Sequence, residues 1–567
     1  APAPRRRRPW SGLLTRLNAR FERRFEQLQA SYGRALEAVL AHPRRTVLGF
    51  SLFVALSAGL FPLIGQDFFP RVDAGLIRFH ARALPGTRLE ETERFHTEVA
   101  ALVRRVVPAA ELDNLINNIG VTSSPINLSM GDPSMISAAG GEVLVSLKRG
   151  HGPTNDYVRT LRRELDRSFP DATFFFLAPD IATQVLNFGI SAPIDIQVTG
   201  PPSNQAKNLA LALRIQDELS KVPGAVDVHL HQVVNAPQYA VEVDRVAASR
   251  VGLTERDVAN DLLISLSSSG QTAPNYWLDP TKGIQYLVAV QTPQYRMNSL
   301  AALESTPVGV EPGETPQQLS NFAEVSRRVG PANITHYNAL PTYDVLANVD
   351  GTDLGSVARA IDRILAKLTP DTPRGTTVRI KGQLESMDSS FTGLGYGLIL
   401  AVVLVYLVMV VNFQSWLDPF VILTALPGAI AGIAWILFVT DTTLSVPALM
   451  GAILCVGVAT ANSILLVSFA NDVRSEAGGE LLGAREAALL AGRTRLRPVL
   501  MTALAMILGM LPMAIGLGEG AEQNAPLGRA VIGGLTLATL STLFFVPTVY
   551  ALLRKKSPAR PVLEDLA

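Results

Sequence analysis

Long apolar runs alternate with polar stretches along the chain, and six of these runs are long enough to cross a membrane. A helix needs about 20 mostly apolar residues to span about 30 Å of hydrocarbon. None of the six runs contains an internal Lys, Arg, Asp or Glu. The pattern therefore predicts an α-helical membrane bundle, one span followed much later by five, with spans near 46–64, 391–411, 420–439, 446–469, 498–516 and 530–553.

The positions of Arg and Lys predict which side of the membrane each loop faces. Short cytoplasmic loops carry an excess of these residues. The segments 1–45, 470–497 and 554–567 are rich in Arg or Lys, whereas the loops 440–445 and 516–528 contain neither. The first three segments are therefore predicted to be cytoplasmic. Residues 65–390, about 320 in number, are predicted to lie on the outer side.

The cytoplasmic segment 1–45 is predicted to be helical, because its apolar residues recur at close to helical spacing. These residues are Leu14, Leu17, Phe21, Phe25 and Leu28. The intervening arginines suit a helix that lies against anionic lipid headgroups. A plain solvated helix fits the same pattern, and the sequence does not separate the two.

The outer region contains two similar runs of predicted strands and helices. The first run follows the order β-α-β-β-α-β, which is ferredoxin-like. A second run begins at Ala192 and is interrupted before it resumes near 334. The fold class is therefore a membrane bundle with an outer α+β region of two small units, the second of which carries an insertion.

Composition agrees with a membrane protein and excludes several kinds of active site. Only 17% of residues are charged, against about a quarter in soluble proteins. The one cysteine, Cys455, lies in an apolar run and is predicted to be buried and inert. His229 and His231 alternate on a predicted strand, and Met130 and Met135 lie in one loop; a half-exposed strand and incidental loop methionines are the simpler interpretations. No HExxH, CxxC, Walker or GxSxG motif occurs, so no enzyme, metal site, cofactor or nucleic-acid partner is predicted.

Several segments resemble the resistance–nodulation–division (RND) efflux permeases of the hydrophobe/amphiphile type. They include FFPRVDAGLIRF, VNFQSWLDPF, VGVATANSILLVSF and RTRLRPVLMTALAMILGMLP, in the same order as in that family. The resemblance is to the C-terminal half of such a permease, because the full permease contains two six-helix repeats and this chain has one. The full set of segments that resemble the family is Phe68–Thr92, Val411–Gly432, Val456–Asp472, Arg493–Gly516 and Ala521–Lys556.

The resemblance implies a multi-pass protein of the bacterial inner membrane that exports amphiphilic compounds by proton antiport. It implies a homotrimer that works with the N-terminal half of the same permease, a periplasmic adaptor and an outer-membrane channel. It also implies domain boundaries in the outer region. These are a first porter subdomain at 73–182, a second at 183–250 and 331–385, and a docking subdomain at 251–330.

The substrate pocket of such pumps is aromatic and lies in the porter. Phe174 and Phe176 fall on one face of a predicted strand in TFFFLAP. An aromatic wall would bind varied apolar compounds through contact area. Ordinary core residues are an equal alternative.

The resemblance also identifies a departure at the proton relay. The position of the family's intramembrane Lys is Ala461, and Ser468 replaces a nearby acid, whereas Asn462, Arg495 and Thr502 match. A proton-driven pump needs a titratable group in the bilayer. Either the other half supplies its acids alone with water and Arg495, or the coupling ion differs, or the pump is uncoupled or specialised.

The remaining polar residues of the fourth span, Thr460 and Ser463, can donate hydrogen bonds but do not titrate. Asn462 either belongs to a relay or serves as polar glue between helices. The transmembrane polar residues predicted to matter are Asn462, Ser463, Arg495 and Thr502.

The functional hypotheses differ in class. The first is a secondary transporter of amphiphilic compounds. Export of lipids, hopanoids or metals on the same scaffold is an alternative, and a non-transporting membrane scaffold is another, because the relay Lys is missing. Small residues that predict close helix packing are Gly428, Gly432, Gly533 and Gly534.

Overall fold

The computed structural model describes residues 10–121, 134–179, 181–186, 192–270, 272–309, 316–476, 482–516 and 520–554. Helices form where apolar residues recur at helical spacing or fill a whole span. A π-helical turn, Ser541–Phe545, joins the last two helices. The helices are α1 (Trp10–Ala41), α2 (Pro43–Ala58), α3 (Leu89–Val106), α4 (Thr154–Ser168), α5 (Ile181–Leu186), α6 (Gln205–Ser220), α7 (Arg245–Arg250), α8 (Glu255–Ser267), α9 (Leu300–Glu304), α10 (Leu354–Leu368), α11 (Gln383–Phe413), α12 (Leu417–Leu423), α13 (Leu426–Val439), α14 (Val446–Glu476), α15 (Ala484–Ile515), α16 (Ala525–Leu540) and α17 (Val546–Leu553).

The strands belong to the outer region and pair antiparallel throughout the described sheets. They are β1 (Leu76–Arg82), β2 (Leu112–Ile119), β3 (Gly140–Leu147), β4 (Thr173–Leu177), β5 (Ile194–Thr199), β6 (Ala225–Leu230), β7 (Ala236–Val243), β8 (Asn275–Leu278), β9 (Gln285–Val288), β10 (Pro307–Val308), β11 (Gln317–Gln318), β12 (Ala323–Gly330), β13 (Thr335–Tyr337), β14 (Leu340–Val349) and β15 (Thr377–Gly382).

Within the described ranges, six helical segments are long and apolar enough to cross a membrane. Several are longer than the apolar runs that reveal them. The helix predicted from 498 begins at Ala484, because its polar first turns continue the same hydrogen-bond ladder. The predicted span 420–439 is divided between α12 and α13, next to Pro427, which has no N–H to donate. The segments are Pro43–Leu63, Gln383–Phe413, Leu417–Val439, Val446–Arg474, Ala484–Ile515 and Ala525–Leu553.

Helices α13, α14 and α16 form the tightest part of the bundle, and glycine makes this packing possible. A methyl group added to Gly432 would overlap the carbonyl oxygen of Gly533. One added to Gly428 would overlap the Ser541 hydroxyl, and one added to Gly534 would meet the Cys455 sulfur. The predicted role of these glycines in close packing is confirmed, and Cys455 is fully buried as predicted.

Helix α1 packs one face against the end of the bundle that is predicted to be cytoplasmic. Tyr32 and Leu36 are buried there beside Leu496. The Tyr32 hydroxyl donates a hydrogen bond of 2.8 Å to the carbonyl oxygen of Leu543. The helix is therefore part of the folded body along this face, whereas Leu28 is half exposed.

The first outer unit is a four-stranded sheet with the strand order β2-β3-β1-β4, covered on one face by α3 and α4. Its elements follow the chain order β-α-β-β-α-β. Alternate residues of each strand point to the helices and form the core. Phe79, Val143 and Leu161 are fully buried in it.

The second outer unit is a five-stranded sheet in which β14 and β5 are central and β6, β13 and β15 lie around them. Its apolar face packs on α6 and α10 through Ile194, Ile215 and Ile361. Strand β7 does not join this sheet; it pairs with β12 from Ala236 to Val243. Strands β7 and β12 therefore form a separate pair beside the main sheet, and the bounds 251–330 of the docking subdomain stay a prediction.

Candidate functional site

The polar residues of α14 form two hydrogen bonds across the bundle. The Thr502 hydroxyl on α15 donates to Asn462 Oδ1 at 2.9 Å. The hydroxyls of Ser463 and Thr542 lie 2.9 Å apart, with Thr542 in the π-helical turn. Asn462, Ser463 and Thr542 are buried. These contacts join α14 to α15 and to the segment after α16.

Arg495 lies outside this hydrogen-bonded group. It precedes Thr502 by seven residues, about 10 Å along the helix. Its guanidinium carbon lies 4.7 Å from the centre of the Phe469 ring, a cation–π arrangement. Its Nε is buried and has no hydrogen-bond partner in the described part of the chain. The structure thus brings Asn462 and Thr502 together but keeps Arg495 apart.

Ala461 lies on a different face of α14. It is exposed, as are Leu454, Gly457 and Leu465, which recur at helical spacing. The described residues of this chain leave that face uncovered. The position that would carry a relay Lys therefore points away from Asn462 and its partners.

Phe174 and Phe176 both point into the core of the first outer unit. Phe174 packs near Phe95 and Phe169, with ring centres 6.0 Å away in each case. Phe176 packs against Phe79, and the Arg162 guanidinium lies 4.9 Å from its ring centre. Only Phe176 of the pair also lines a cavity. Substrate binding by either ring stays a prediction.

This cavity, which we call the basal cavity, lies where the two outer units meet the start of the outer region. Its volume is about 380 Å³. Apolar walls come from Phe68, Phe69, Leu76, Val158 and Phe176. Sequence reasoning missed the cavity, because its lining comes from segments as far apart in the chain as Asp67 and Gln523.

The acids that contact Arg162, a residue of the cavity lining, are already paired. Arg162 donates two hydrogen bonds to Asp227, at 2.7 and 2.9 Å. Asp350 accepts from Arg159 Nε at 3.1 Å and also pairs with Arg162. Partial burial alone would raise the pKa of Asp350, but the hydrogen bond and charge of Arg159, followed by the charges of Arg162 and Arg71, hold it below its ordinary value.

Asp67 and Asp353 connect the other side of the basal cavity to the membrane helices. Asp67 accepts a hydrogen bond from the Leu354 N–H at 2.9 Å, and its own N–H donates to Leu444. Asp353 caps α10 and accepts from the Gln66 N–H at 2.9 Å. Burial raises the pKa of Asp67. These acids therefore fix the join between α2, α10 and the loop before α14.

A second polar group, which sequence reasoning missed, lies at the end of the bundle that is predicted to be cytoplasmic. Asp418 on α12 is 1% exposed and accepts from Arg554 Nε at 2.8 Å. Asn471 on α14 donates to Asp418 at 3.2 Å and accepts from the Tyr550 hydroxyl at 2.8 Å. The group ties α12, α14 and α17 together. Asp418 lies in the segment VNFQSWLDPF, one of those that resemble the family, and this resemblance could have drawn attention to it.

A sequence model of the AcrB/AcrD/AcrF family matches residues 4–554. The chain belongs to this family of RND permeases. It is 26% identical over 545 residues to the "Cation efflux system protein CzcA" of Alcaligenes sp. (strain CT14), a match that covers 94% of this chain and 49% of that protein. The chain thus spans about half the length of the curated relative it matches.

Solved structures agree with the family assignment. Two crystal forms of a heavy metal efflux pump match 94% of this chain and 52% of theirs. Form II is 24% identical with a TM-score of 0.77, and form I is 25% identical with a TM-score of 0.75. The chain therefore has an RND permease fold, and permeases of this family are multi-pass inner-membrane proteins with a periplasmic domain.

The His and Met residues weighed as metal ligands have other surroundings where the structure describes them. No group of three or more His, Cys, Asp or Glu residues suited to a metal ion occurs among the described residues. His229 stacks on Phe175, with ring centres 4.0 Å apart, and its Nδ1 donates a hydrogen bond of 2.7 Å to the carbonyl oxygen of Asp227. Met130 lies outside the described residues, and Met135 is half buried.

Proposed function

We propose that this chain is the C-terminal half of an inner-membrane secondary exporter that moves small amphiphilic or drug-like compounds. In this proposal it joins the N-terminal half of the same permease and assembles as a homotrimer with a periplasmic adaptor and an outer-membrane channel. Family membership and the paired repeats of such transporters support this architecture. The proposed activity is transport and not catalysis.

The character of the basal cavity supports the amphiphilic substrate. Its aromatic and aliphatic walls offer apolar contact area, and a cavity of this size suits a small organic molecule. Asp350 is engaged by arginines, while Asp67 and Asp73 accept hydrogen bonds from backbone N–H groups. Few charged oxygens are left to compete for a cation. The single observation on which the proposal rests is this apolar cavity with its acids already satisfied.

Export of a metal cation is the second candidate, and the names of the relatives favour it. Both the curated relative and the solved structures are described as cation or heavy metal efflux proteins. A cation would need several oxygen, nitrogen or sulfur ligands at once. If the substrate is a metal cation, the basal cavity would have a structural role and would not bind substrate.

A transport assay on the whole permease, with both halves and its own adaptor and channel, separates the two candidates. Cells that lack other pumps are loaded with a fluorescent amphiphilic dye or challenged with divalent cations. We expect dye efflux, and Phe69→Ala should slow it several-fold because it removes one wall of the cavity. Tyr295→Ala, an exposed aromatic in the insertion, is the matched control. Cation resistance without dye efflux establishes the second candidate. Absence of both activities indicates a scaffold.

Proton coupling is a further part of the proposal. With Ala461 in the relay position, we propose that acids of the other half supply the titratable groups and that Arg495 is the cationic partner they approach. The half-buried guanidinium, held only by the Phe469 ring among the described residues, is consistent with that task. Dye efflux that continues unchanged after a protonophore collapses the gradient excludes proton antiport.

A further inference from the structure

The second outer unit has a polar sheet face whose centre is buried. One face of this sheet packs on helices, as described above. On the other face, residues that are paired across β15, β5 and β14 form three rows. One row continues to β6 and one to β13. The rows are Lys381, Asp195, Leu346 and His229; Arg379, Gln197 and Asp344; and Thr377, Thr199, Thr342 and Thr335.

Two carboxylates lie diagonally next to each other at the centre of this face. Asp195 is 3% exposed; its Oδ2 accepts from the Gln197 amide at 2.8 Å. Asp344 Oδ2 accepts from the Gln232 amide at 2.6 Å and from the Thr335 hydroxyl at 3.2 Å. The Oδ1 atoms of both acids, together with Gln197 Oε1, are buried without a hydrogen-bond partner among the described residues. The donors that do reach the pair are all uncharged.

The cations near the pair are committed elsewhere. Lys381 lies opposite Asp195, but its Nζ is 2.7 Å from Glu385 Oε1. Arg379 lies opposite Gln197, is exposed, and lies 5.8 Å from the Tyr337 ring centre. No ion pair reaches Asp195 or Asp344 within the described part of the chain.

The other titratable groups that face this sheet make contacts of their own. His229 is stacked on Phe175 and bonded to Asp227 O. His231 meets Asp344 through its backbone N–H, which donates to the Asp344 carbonyl. Tyr337, on β13, stacks under Lys381 and Arg379. From the first outer unit, Arg82 lies over the Phe175 ring and its Nη1 donates to the His231 carbonyl oxygen at 3.5 Å, while His80 stacks on the same ring. The two carboxylates themselves accept hydrogen bonds from Gln197, Gln232 and Thr335.

Two adjacent buried carboxylates cannot both stay ionised without compensation, because each charge raises the cost of the other. A divalent ion such as Ca²⁺ takes six to eight oxygen ligands, whereas this site offers three unpaired acceptor oxygens. A single proton needs no cavity and converts one unpaired acceptor into a donor. The chemistry of the three unpaired oxygens therefore favours a proton as the occupant.

We propose that Asp195 and Asp344 form a proton-binding site in the second outer unit, which holds one proton between the two acids while this sheet face is covered. The row through Asp195 ends at His229, whose ring stacks on Phe175 of the first outer unit. Separation of the two units would therefore admit water to this row of residues and release the proton. Burial, followed by the charge of Asp344, raises the pKa of Asp195 to about 8, in agreement with this site.

Infrared spectroscopy of the purified full-length permease tests the proton directly. The carboxylic-acid C=O band is followed from pH 5 to pH 10, in H2O and in D2O. We expect a band at pH 6.5 that disappears on alkaline titration and is lost in Asp195→Asn. Asp362→Asn, at an exposed position of the same unit, should leave it unchanged. A spectrum in which Asp195→Asn removes no band overturns the proposal.

A second measurement distinguishes a bound proton from a purely structural contact and from a bound cation. The Tm of the wild type should fall as pH rises from 6 to 9, and the Tm of Asp195→Asn should fall much less. A Tm reduction in Asp195→Asn that is equal at every pH indicates a purely structural role and contradicts the proposal. Stabilisation of the wild type by K⁺ or Ca²⁺ at constant ionic strength, lost in Asp195→Asn, would identify a cation site instead.

Discussion

At the scale of single residues, the hydrogen bond from Thr502 to Asn462 lies where water is scarce. Such bonds in membrane bundles contribute modestly, about 0.6 kcal/mol on average. We expect the Asn462→Leu and Thr502→Val variants to show a coupling energy of about 0.5–1.5 kcal/mol in a double-mutant cycle of denaturation in mixed micelles. A coupling energy near zero would show that the two groups do not bond in the membrane protein.

A larger residue effect is expected at Asp418. Removing one member of a buried ion pair leaves the other charge unpaired and costs about 3–5 kcal/mol. Asp418→Asn should therefore lower the free energy of unfolding by about 3 kcal/mol. The matched control is Glu22→Gln, whose pair with Arg497 is about half exposed and should contribute only about 0.5 kcal/mol. Equal losses in the two variants would contradict the assigned difference in burial.

The family resemblance singled out Asn462 and Thr502 in the candidate site. The structure places the two in one hydrogen bond, and their part in a proton relay stays a prediction. That Arg495 rests on Phe469 could not be read, because it depends on how α14 and α15 are rotated. The basal cavity and the Asp195–Asp344 pair require strand register, which the sequence pattern does not define.

At the scale of elements, the contact between α13 and α16 depends on glycine. A methyl group at Gly432 meets the backbone of α16 rather than a movable side chain. We expect Gly432→Ala to lower the free energy of unfolding by about 1–3 kcal/mol through overpacking. Gly395→Ala, on α11 with no described atom near the added methyl group, is the control. Similar stability of the two variants would mean that the helices separate easily.

The apolar runs located the membrane helices well, because hydropathy is a property of the segment itself. Their ends were less predictable. Helix α15 begins at Ala484, well before its apolar part, and the α12–α13 break was missed. Strand β7 pairs with β12, a segment about 80 residues away, and a local sequence pattern does not identify such a partner.

At the scale of the whole molecule, two kinds of buried group give opposite pH dependences. Burial lowers the pKa of His229 to about 3 and that of His96 to about 4, from 6.5. The unfolded chain then binds more protons as pH falls below 6.5, so acid reduces stability. Asp195 has the opposite sign: the folded form keeps a proton between pH 3.8 and about 8 that the unfolded chain has lost, so stability declines as pH rises through that range.

These signs predict a stability curve with two separable limbs. His229→Phe, which keeps the stacking on Phe175, should make the acid limb between pH 6.5 and 4 shallower. The exposed His42→Gln should leave this limb unchanged. Thermal unfolding in detergent across this pH range measures the slopes. An acid limb of identical slope in His229→Phe and the wild type would show that His229 is not neutral in the folded protein.

The π-helical turn Ser541–Phe545 determines the direction in which the side chains of α17 point around the helix axis. Its wider turn shifts every later side chain by roughly one residue, or about 100° around the axis. Gly533 before the turn and Tyr550 after it can therefore each face a different neighbour. Loss of one residue in the turn would leave the hydropathy of the segment almost intact. It would nevertheless rotate Arg554 about a quarter turn away from Asp418, so that angular phase, not apolar length, decides whether the cytoplasmic ion pair forms.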